Sequence, residues 1–187
     1  MNIVLTLDHH SELDFINSCI RKERWAQKKL YETYYSNMMS VCLRYANNDE
    51  DALDILHEGF IKIFNNLEKY NPGTSLNGWI RTIMVNTSID YYRKSLRRKT
   101  EDLENAYHVS VKEADAVAQF SEQEILQAVQ ELTPAYRMVF NLYVIEGYSH
   151  KEIAETVGIT ESTSRSNLVK ARMKLQAALL AKDKTRI

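Results

Sequence analysis

From Leu13 to Leu96, apolar residues return every three to five positions, the repeat of helices that each bury one face. A strand would send the same residues alternately to both sides, so this pattern commits the chain to packed helices. Residues 49–70 carry it most cleanly. Ala52, Ile55, Leu56, Phe60, Ile63, Phe64 and Leu67 mark one stripe, while Asp51, Asp54 and Glu58 lie elsewhere on the surface. Residues 23–46 repeat the theme with Trp25, Leu30, Tyr34, Met38, Val41 and Tyr45. Asn71-Pro72-Gly73 breaks the 49–70 helix. A further helix follows over 75–96, with Trp79, Ile80, Ile83, Met84, Thr87, Ile89 and Tyr91 as core candidates. With only 5 Gly and 2 Pro in 187 residues, there is little material for a turn-dense all-β fold.

Beyond residue 98 the pattern lapses and the chain turns acidic. Residues 100–131 hold eight acidic groups against Lys112 alone. Helical patterning returns over 122–132, and Thr133-Pro134 offers an N-cap and a first-turn proline for the next helix, which ends near Gly147. The expectation is an all-α chain of two small helical domains, 1–98 and 122–187, joined by a flexible acidic linker over 99–121.

Net charge is close to zero, but its distribution is uneven. Residues 49–70 carry a net of −4, residues 81–99 a net of +5 and residues 149–187 a net of +4. Two basic segments separated by an acidic one suggest two polyanion contacts. No apolar run approaches the roughly 18 residues of a membrane span, and MNIVLTLDHHSELD lacks a basic start followed by an apolar stretch. Cys19 and Cys42 have neither the number nor the spacing for a disulfide framework or zinc site, and read as buried free thiols. A soluble cytoplasmic chain is expected, with no metal and no cofactor.

The most specific local signal is GYSHKEIAETVGITESTSRSNLVKARMKL, residues 147–175. Ser149 and Glu152 have capping-box spacing and open a helix at His150. Ile153, Ala154 and Val157 give that helix an apolar face, and Gly158 supplies the left-handed residue that closes it. Thr160 caps a second helix carrying Leu168, Val169, Ala171, Met173 and Leu175. A short helix, a tight glycine turn and a longer polar helix read as helix-turn-helix, with a plain helical hairpin as the alternative. Such a second helix points its N-terminal residues at base edges, here Glu161, Ser162, Thr163, Ser164, Arg165, Ser166 and Asn167. Arg165 has the fork for guanine and Asn167 the amide for adenine. Thr163, Ser166, Lys170 and Arg172 suit bases or phosphates. Position 164 is normally apolar in this motif, and Ser stands there.

A second constellation runs from Trp79-Ile80-Arg81 through Asn86 and Asp90 to Tyr91-Tyr92-Arg93-Lys94 and Arg97-Arg98-Lys99. Interleaved bases and aromatics suit single-stranded nucleic acid, where charge follows phosphates and rings stack on bases. The plainer expectations are a core place for Trp79, and one core and one surface place for the two tyrosines.

DALDILHEGFIKIFNNLEKYNPGTSLNGWIRTIMVNTSIDYYRKSLRRK resembles region two of an extracytoplasmic-function (ECF) sigma factor, and ELTPAYRMVFNLYVIEGYSHKEIAETVGITESTSRSNLVKARMKL resembles region four. The resemblance covers about residues 11–98 and 122–180. The family's D-A-x-D-[LIV]-x-Q-E-x-F motif is met by Asp51, Ala52, Asp54, Ile55, Glu58 and Phe60, with His57 in place of Gln. That motif implies docking on the clamp helices of core RNA polymerase through Asp51, Asp54, His57 and Glu58. The family's W-[LI]-x-x-I-x-x-N-x-x-[IL]-D pattern is met by Trp79, Ile80, Ile83, Asn86, Ile89 and Asp90. It implies a −10 promoter site from the loop 70–77, with Tyr70, Asn71, Thr74 and Ser75, together with Asn86 and the basic Arg93, Lys94, Arg97 and Arg98. The region-four run G-T-[VS]-[KR]-S-x-L is met by Thr163, Ser164, Arg165, Ser166 and Leu168, with Ser162 replacing Gly. It implies a −35 site of Ser162, Thr163, Arg165, Ser166, Asn167, Lys170 and Arg172. The acidic segment corresponds to the family's variable linker.

The expected function is therefore promoter-specific transcription initiation, with core polymerase, promoter DNA and an anti-sigma factor as partners and no membrane insertion. The alternative is a helix-turn-helix regulator that does not dock on polymerase, and the acidic 51–60 motif separates the two. An enzyme is not expected: the chain has no P-loop, G-x-G-x-x-G, G-x-S-x-G or H-E-x-x-H.

Overall fold

The computed structural model of the chain describes residues 9–99 and 120–184. The elements in order are α1 (His9–Ile20), α2 (Arg24–Tyr45), α3 (Asp49–Asn66), a short 3₁₀ turn (Leu67–Lys69), α4 (Leu76–Lys99), α5 (Glu122–Gln130), α6 (Pro134–Phe140) continued by a π turn (Asn141–Ile145), α7 (His150–Val157) and α8 (Glu161–Lys184). No strand occurs among the described residues, as the periodicity requires. Residues 100–119 of the expected linker lie outside the described residues. The chain divides into two compact units. Met1–Cys42 joins Glu50–Thr87 in the first, and Leu43–Asp49 joins Ser88–Ile187 in the second.

In the first unit, α3 buries the expected stripe of Ala52, Ile55, Leu56, Phe60 and Ile63, and Leu67 follows in the 3₁₀ turn. Gly59 completes that face. A Cβ on Gly59 would lie 2.3 Å from the Sδ of Met84 on α4, so the absence of a side chain makes room for the Met84 thioether. Helix α2 buries Ala26, Leu30, Met38, Val41 and Cys42. Trp25 departs from its expected core place and is 59% exposed. It lies one residue, about 100° of helix, away from Ala26. Its Nε1 donates to Glu23 at 2.7 Å, and its ring tilts against Phe15. Along α4 as far as Thr87, Ile80, Met84 and Thr87 are buried as expected, while Trp79 is only half-buried; beyond it, in the part of α4 that belongs to the second unit, Ile89 is buried. Tyr92 goes inside and Tyr91 stays half-exposed. Cys19 and Cys42 are buried and not joined in a disulfide.

In the second unit, α5 opens on a capping box between Ser121 and Glu124. Ala128, Val129 and Leu132 pack with Ala171 and Leu175 of α8. Pro134 begins α6 as expected, but the Thr133 hydroxyl makes no capping bond. The unit includes the end of α2, from Leu43. Gln130 donates to the Leu43 carbonyl at 3.2 Å and Asn141 to that of Arg44 at 2.6 Å, satisfying carbonyls that a helix end leaves without an intrahelical donor. Arg137, 2% exposed, donates to the Gln130 carbonyl and to Oδ1 of Asn47.

Candidate nucleic-acid interface

The helix-turn-helix is built by its caps. Ser149 Oγ accepts from the Glu152 amide, and Glu152 Oε2 accepts from the Ser149 amide at 2.8 Å. The Ser149 hydroxyl, which donates to the same carboxylate oxygen at 2.7 Å, and after it the Ser149 amide hold the Glu152 carboxyl below its ordinary pKa. Gly158 closes α7 at φ 80°, donating to the Ala154 carbonyl at 2.9 Å. Thr160 Oγ1 accepts from the Thr163 amide at 3.0 Å and starts α8. Ile153, Val157, Leu168 and Ala171 are buried, which fixes the rotation of α8 about its own axis.

That rotation leaves Ser162, Thr163, Arg165, Ser166, Lys170 and Arg172 exposed and Asn167 half-buried. Their local bonds differ. Arg165 Nη2 donates to Glu161 Oε2 one turn earlier. Ser166 Oγ donates to the Thr163 carbonyl, and Thr163 Oγ1 pairs with Thr160 Oγ1. The Arg172 guanidinium lies over the Tyr143 ring, 5.9 Å from its centroid. Val169, counted with the apolar positions of α8, is instead 57% exposed beside these polar groups. An apolar side chain there fits a thymine methyl. Its signal in the sequence was its position between Leu168 and Lys170, off the buried phase. Ser164 is fully buried, with Oγ 2.9 Å from Nδ1 of His150.

The loop after α3 is tied to itself. Gly73 has φ 96°. Thr74 Oγ1 donates to the Asn71 carbonyl at 2.8 Å, and Ser75 Oγ accepts from the Gly78 amide at 3.2 Å. Asn71, Thr74 and Ser75 are exposed. Tyr70 is 4% exposed and lies beneath them. Its hydroxyl is 2.6 Å from the Thr74 carbonyl and 3.0 Å from Glu12, and its ring packs on Trp79. Burial, with the hydrogen bond to Glu12 adding to it, pushes its hydroxyl pKa up. Tyr70 therefore shapes the loop from below rather than facing solvent. Asn86 is exposed on α4. It lies eleven residues beyond Ser75, about 16 Å along the axis. On the last turns of α4, Arg93 lies 4.0 Å from Asp90, and Lys94 is exposed. The side chains of Arg97 and Arg98 lie outside the described residues.

On the outer face of α3, Asp54 and His57 are exposed and Asp51 and Glu58 half-buried. Glu58 pairs with Lys62 at 3.3 Å, and His57 Nε2 is 3.5 Å from the Tyr31 hydroxyl. Leu53, 37% exposed, and Ile61, 61% exposed, flank these groups one turn to either side of His57. The motif pattern did not single out either apolar residue. No cluster of metal-ligating side chains occurs among the described residues.

Residues 30–98 match sigma-70 region 2, and residues 122–175 match sigma-70 region 4. ECF RNA polymerase sigma factor SigE of Mycolicibacterium smegmatis is 30% identical over 162 residues, covering 79% of this chain and 59% of SigE. RNA polymerase sigma factor SigV of Bacillus subtilis is 29% identical over 139 residues, covering 74% of this chain and 81% of SigV. The chain belongs to the ECF sigma-factor family. A solved structure of the sigma factor RpoE in complex with the anti-sigma factor NepR from Bartonella quintana covers 81% of this chain and 95% of that one, at 21% identity and a TM-score of 0.48. Within the family the match to SigE spans less than two thirds of that protein's length. The helix-turn-helix described above falls in the region 4 match, and the α3 face, the loop and α4 fall in the region 2 match.

Proposed function

We propose that this ECF sigma factor gives core RNA polymerase its promoter specificity. The carrying observation is the first two turns of α8, where Ser162, Thr163, Arg165 and Ser166 stand exposed together on a helix whose opposite side is locked into the helix-turn-helix core. That arrangement suits a −35 element read in the major groove, with Asn167, Lys170 and Arg172 completing it. Residues 1–98 act as the docking and −10 domain, 99–121 as the linker and 122–187 as the −35 domain.

Docking belongs to the outer face of α3. The carboxylates of Asp51, Asp54 and Glu58 around the apolar Leu53 and Ile61 fit a basic surface with an apolar centre, with His57 among them. Opening of the −10 element belongs to Asn71, Thr74 and Ser75, to Asn86, and to Arg93, Lys94, Arg97 and Arg98. Melting requires no catalytic residue. Capture of extruded bases offsets an unstacking cost of a few kcal/mol. The chain works in the cytoplasm, without a cofactor or a catalytic role of its own, and family membership brings an anti-sigma factor as the expected restraining partner. No helix among the described residues is long and apolar enough to cross a membrane.

Run-off transcription with purified core polymerase and a template library tests the reading. Sequence-dependent transcripts that require this chain support it. A helix-turn-helix regulator that never docks would select DNA yet leave core polymerase silent.

A further inference from the structure

Between α6, α7 and α8 the side chains of Arg172, Tyr143, His150 and Ser164 form one continuous column. The imidazole of His150 stacks on Tyr143 at 4.5 Å between centroids and 23° between planes. Arg172 covers the same tyrosine ring. At the other end His150 Nδ1 meets the buried Ser164 hydroxyl at 2.9 Å. Tyr143 is presented by the π turn of α6, where Glu146 N donates to the Asn141 carbonyl five residues back. Insertions of this kind redirect a side chain that a regular helix would aim elsewhere. Nothing in the −35 assignment uses His150, Tyr143 or Ser164.

We propose that His150 is a positioning residue for promoter reading, setting the rotation of α8 through Ser164. The inference rests on the −35 reading of α8. Ser164 sits between Thr163 and Arg165, both exposed toward the proposed groove-facing side. An apolar side chain larger than that of alanine would hold α8 at that place by packing alone. A hydroxyl there is buried and polar, so it holds only when its hydrogen-bond partner is in place. The partner is on another helix, at the first position after the Ser149 cap. The stack on Tyr143 fixes the ring plane and hence the direction of Nδ1. Each residue of helix turns the side chains by about 100°, and a recognition geometry tolerates only about 10–20°. A modest rotation of α8 about this contact therefore changes which atoms of Arg165 and Ser166 reach a base.

The test selects full-length chain, in complex with core polymerase, against a random duplex library, and then measures affinity for the selected sequence and for a shuffled one. His150→Ala is expected to lower the selected-to-shuffled ratio by about tenfold, the size of one lost base contact, while affinity for the shuffled duplex stays within about twofold. His150→Asn, which keeps a hydrogen-bonding atom near the Nδ1 position, is expected to restore most of the ratio. Ser164→Ala should reproduce the loss, and the double variant should be no worse than either single one, because both remove the same contact. An unchanged ratio in His150→Ala overturns the inference while leaving the −35 reading intact. So does an equal loss on both duplexes that His150→Asn fails to rescue. A wild-type complex that selects no sequence overturns the −35 reading itself and the inference with it. Tyr143→Phe, which keeps the stack, should behave as wild type, and a loss of selectivity there would count against the column.

Discussion

Arg165 Nη2 donates to Glu161 Oε2 one turn earlier on α8, so the guanidinium proposed to read a base edge is held on its own helix in the free chain. Both side chains are substantially exposed, at 61% and 43%. Such a pair contributes roughly 0.3–0.5 kcal/mol, whereas a bidentate contact to guanine discriminates by about 1–3 kcal/mol. The proposed base contact would therefore outweigh the helix pair.

Arg165→Ala should accordingly change which −35 sequences are selected. Lys170→Ala, further along α8, should weaken all sequences alike and lower the salt slope by roughly one unit. Selection by each variant at two salt concentrations separates the outcomes. An unchanged preferred sequence for Arg165→Ala would refute its base-reading role.

Gly59→Ala should destabilise the first unit although alanine is the better helix former by about 1 kcal/mol. The new Cβ would fall 2.3 Å from Sδ and 2.8 Å from Cε of Met84, a fully buried side chain that must repack within the core to make room. Overpacking of this kind costs about 1–3 kcal/mol. Urea denaturation of wild type and variant measures the difference, and an equal or higher midpoint for the alanine variant would contradict the tight packing of Met84 on Gly59.

Much of this was legible in the residues. The S-x-x-E spacing at Ser149, the glycine at 158 and the proline at 134 each act within one turn, so sequence alone places them, and the structure has each helix end there. The α3 stripe was equally plain. Trp25 went the other way, and the buried place of Tyr70 was not legible, because tertiary partners decided both. Trp25 is exposed against Glu23 and Phe15, and Tyr70 is buried against Trp79 and Glu12, 58 positions away in sequence. The odd Ser164 was visible, but its reason was not. His150 lies on a different helix, aimed by a π turn that no periodicity announces.

His150 also gives a pH dependence. Loss of hydration holds its pKa below the ordinary 6.5, Arg165 and Arg172 push the same way, and Glu161 opposes them. Tyr143 covers one face of the ring. Its place in the first turn of α7 further disfavours a cation there. The unfolded chain therefore takes up a proton before the folded one does. Stability from this group is present above 6.5 and falls as pH drops from 6.5 toward the lower folded value. The melting temperature of wild type should fall more than that of His150→Asn between pH 7.5 and pH 5.5, measured in one buffer series. Parallel curves would show that His150 does not titrate differently on folding.

Asn86 is exposed, so Asn86→Ala should change stability by less than about 0.5 kcal/mol. Its expected effect is on opening. Initial binding to duplex promoter should stay near wild type while the signal of a fluorescent base in the −10 element rises more slowly and to a lower plateau. A normal opening curve in a fully folded variant would remove Asn86 from the −10 site.

The central claim is that the outer face of α3 docks on core polymerase, and capture of core polymerase by the immobilised full-length chain tests it most directly. Wild type should retain core polymerase. Asp54→Arg combined with Glu58→Arg should lose it, with an unchanged melting temperature, because both side chains reach solvent and surface changes usually fall within about 0.5 kcal/mol. Equal capture by wild type and the folded double variant, or no capture by wild type, would contradict the account.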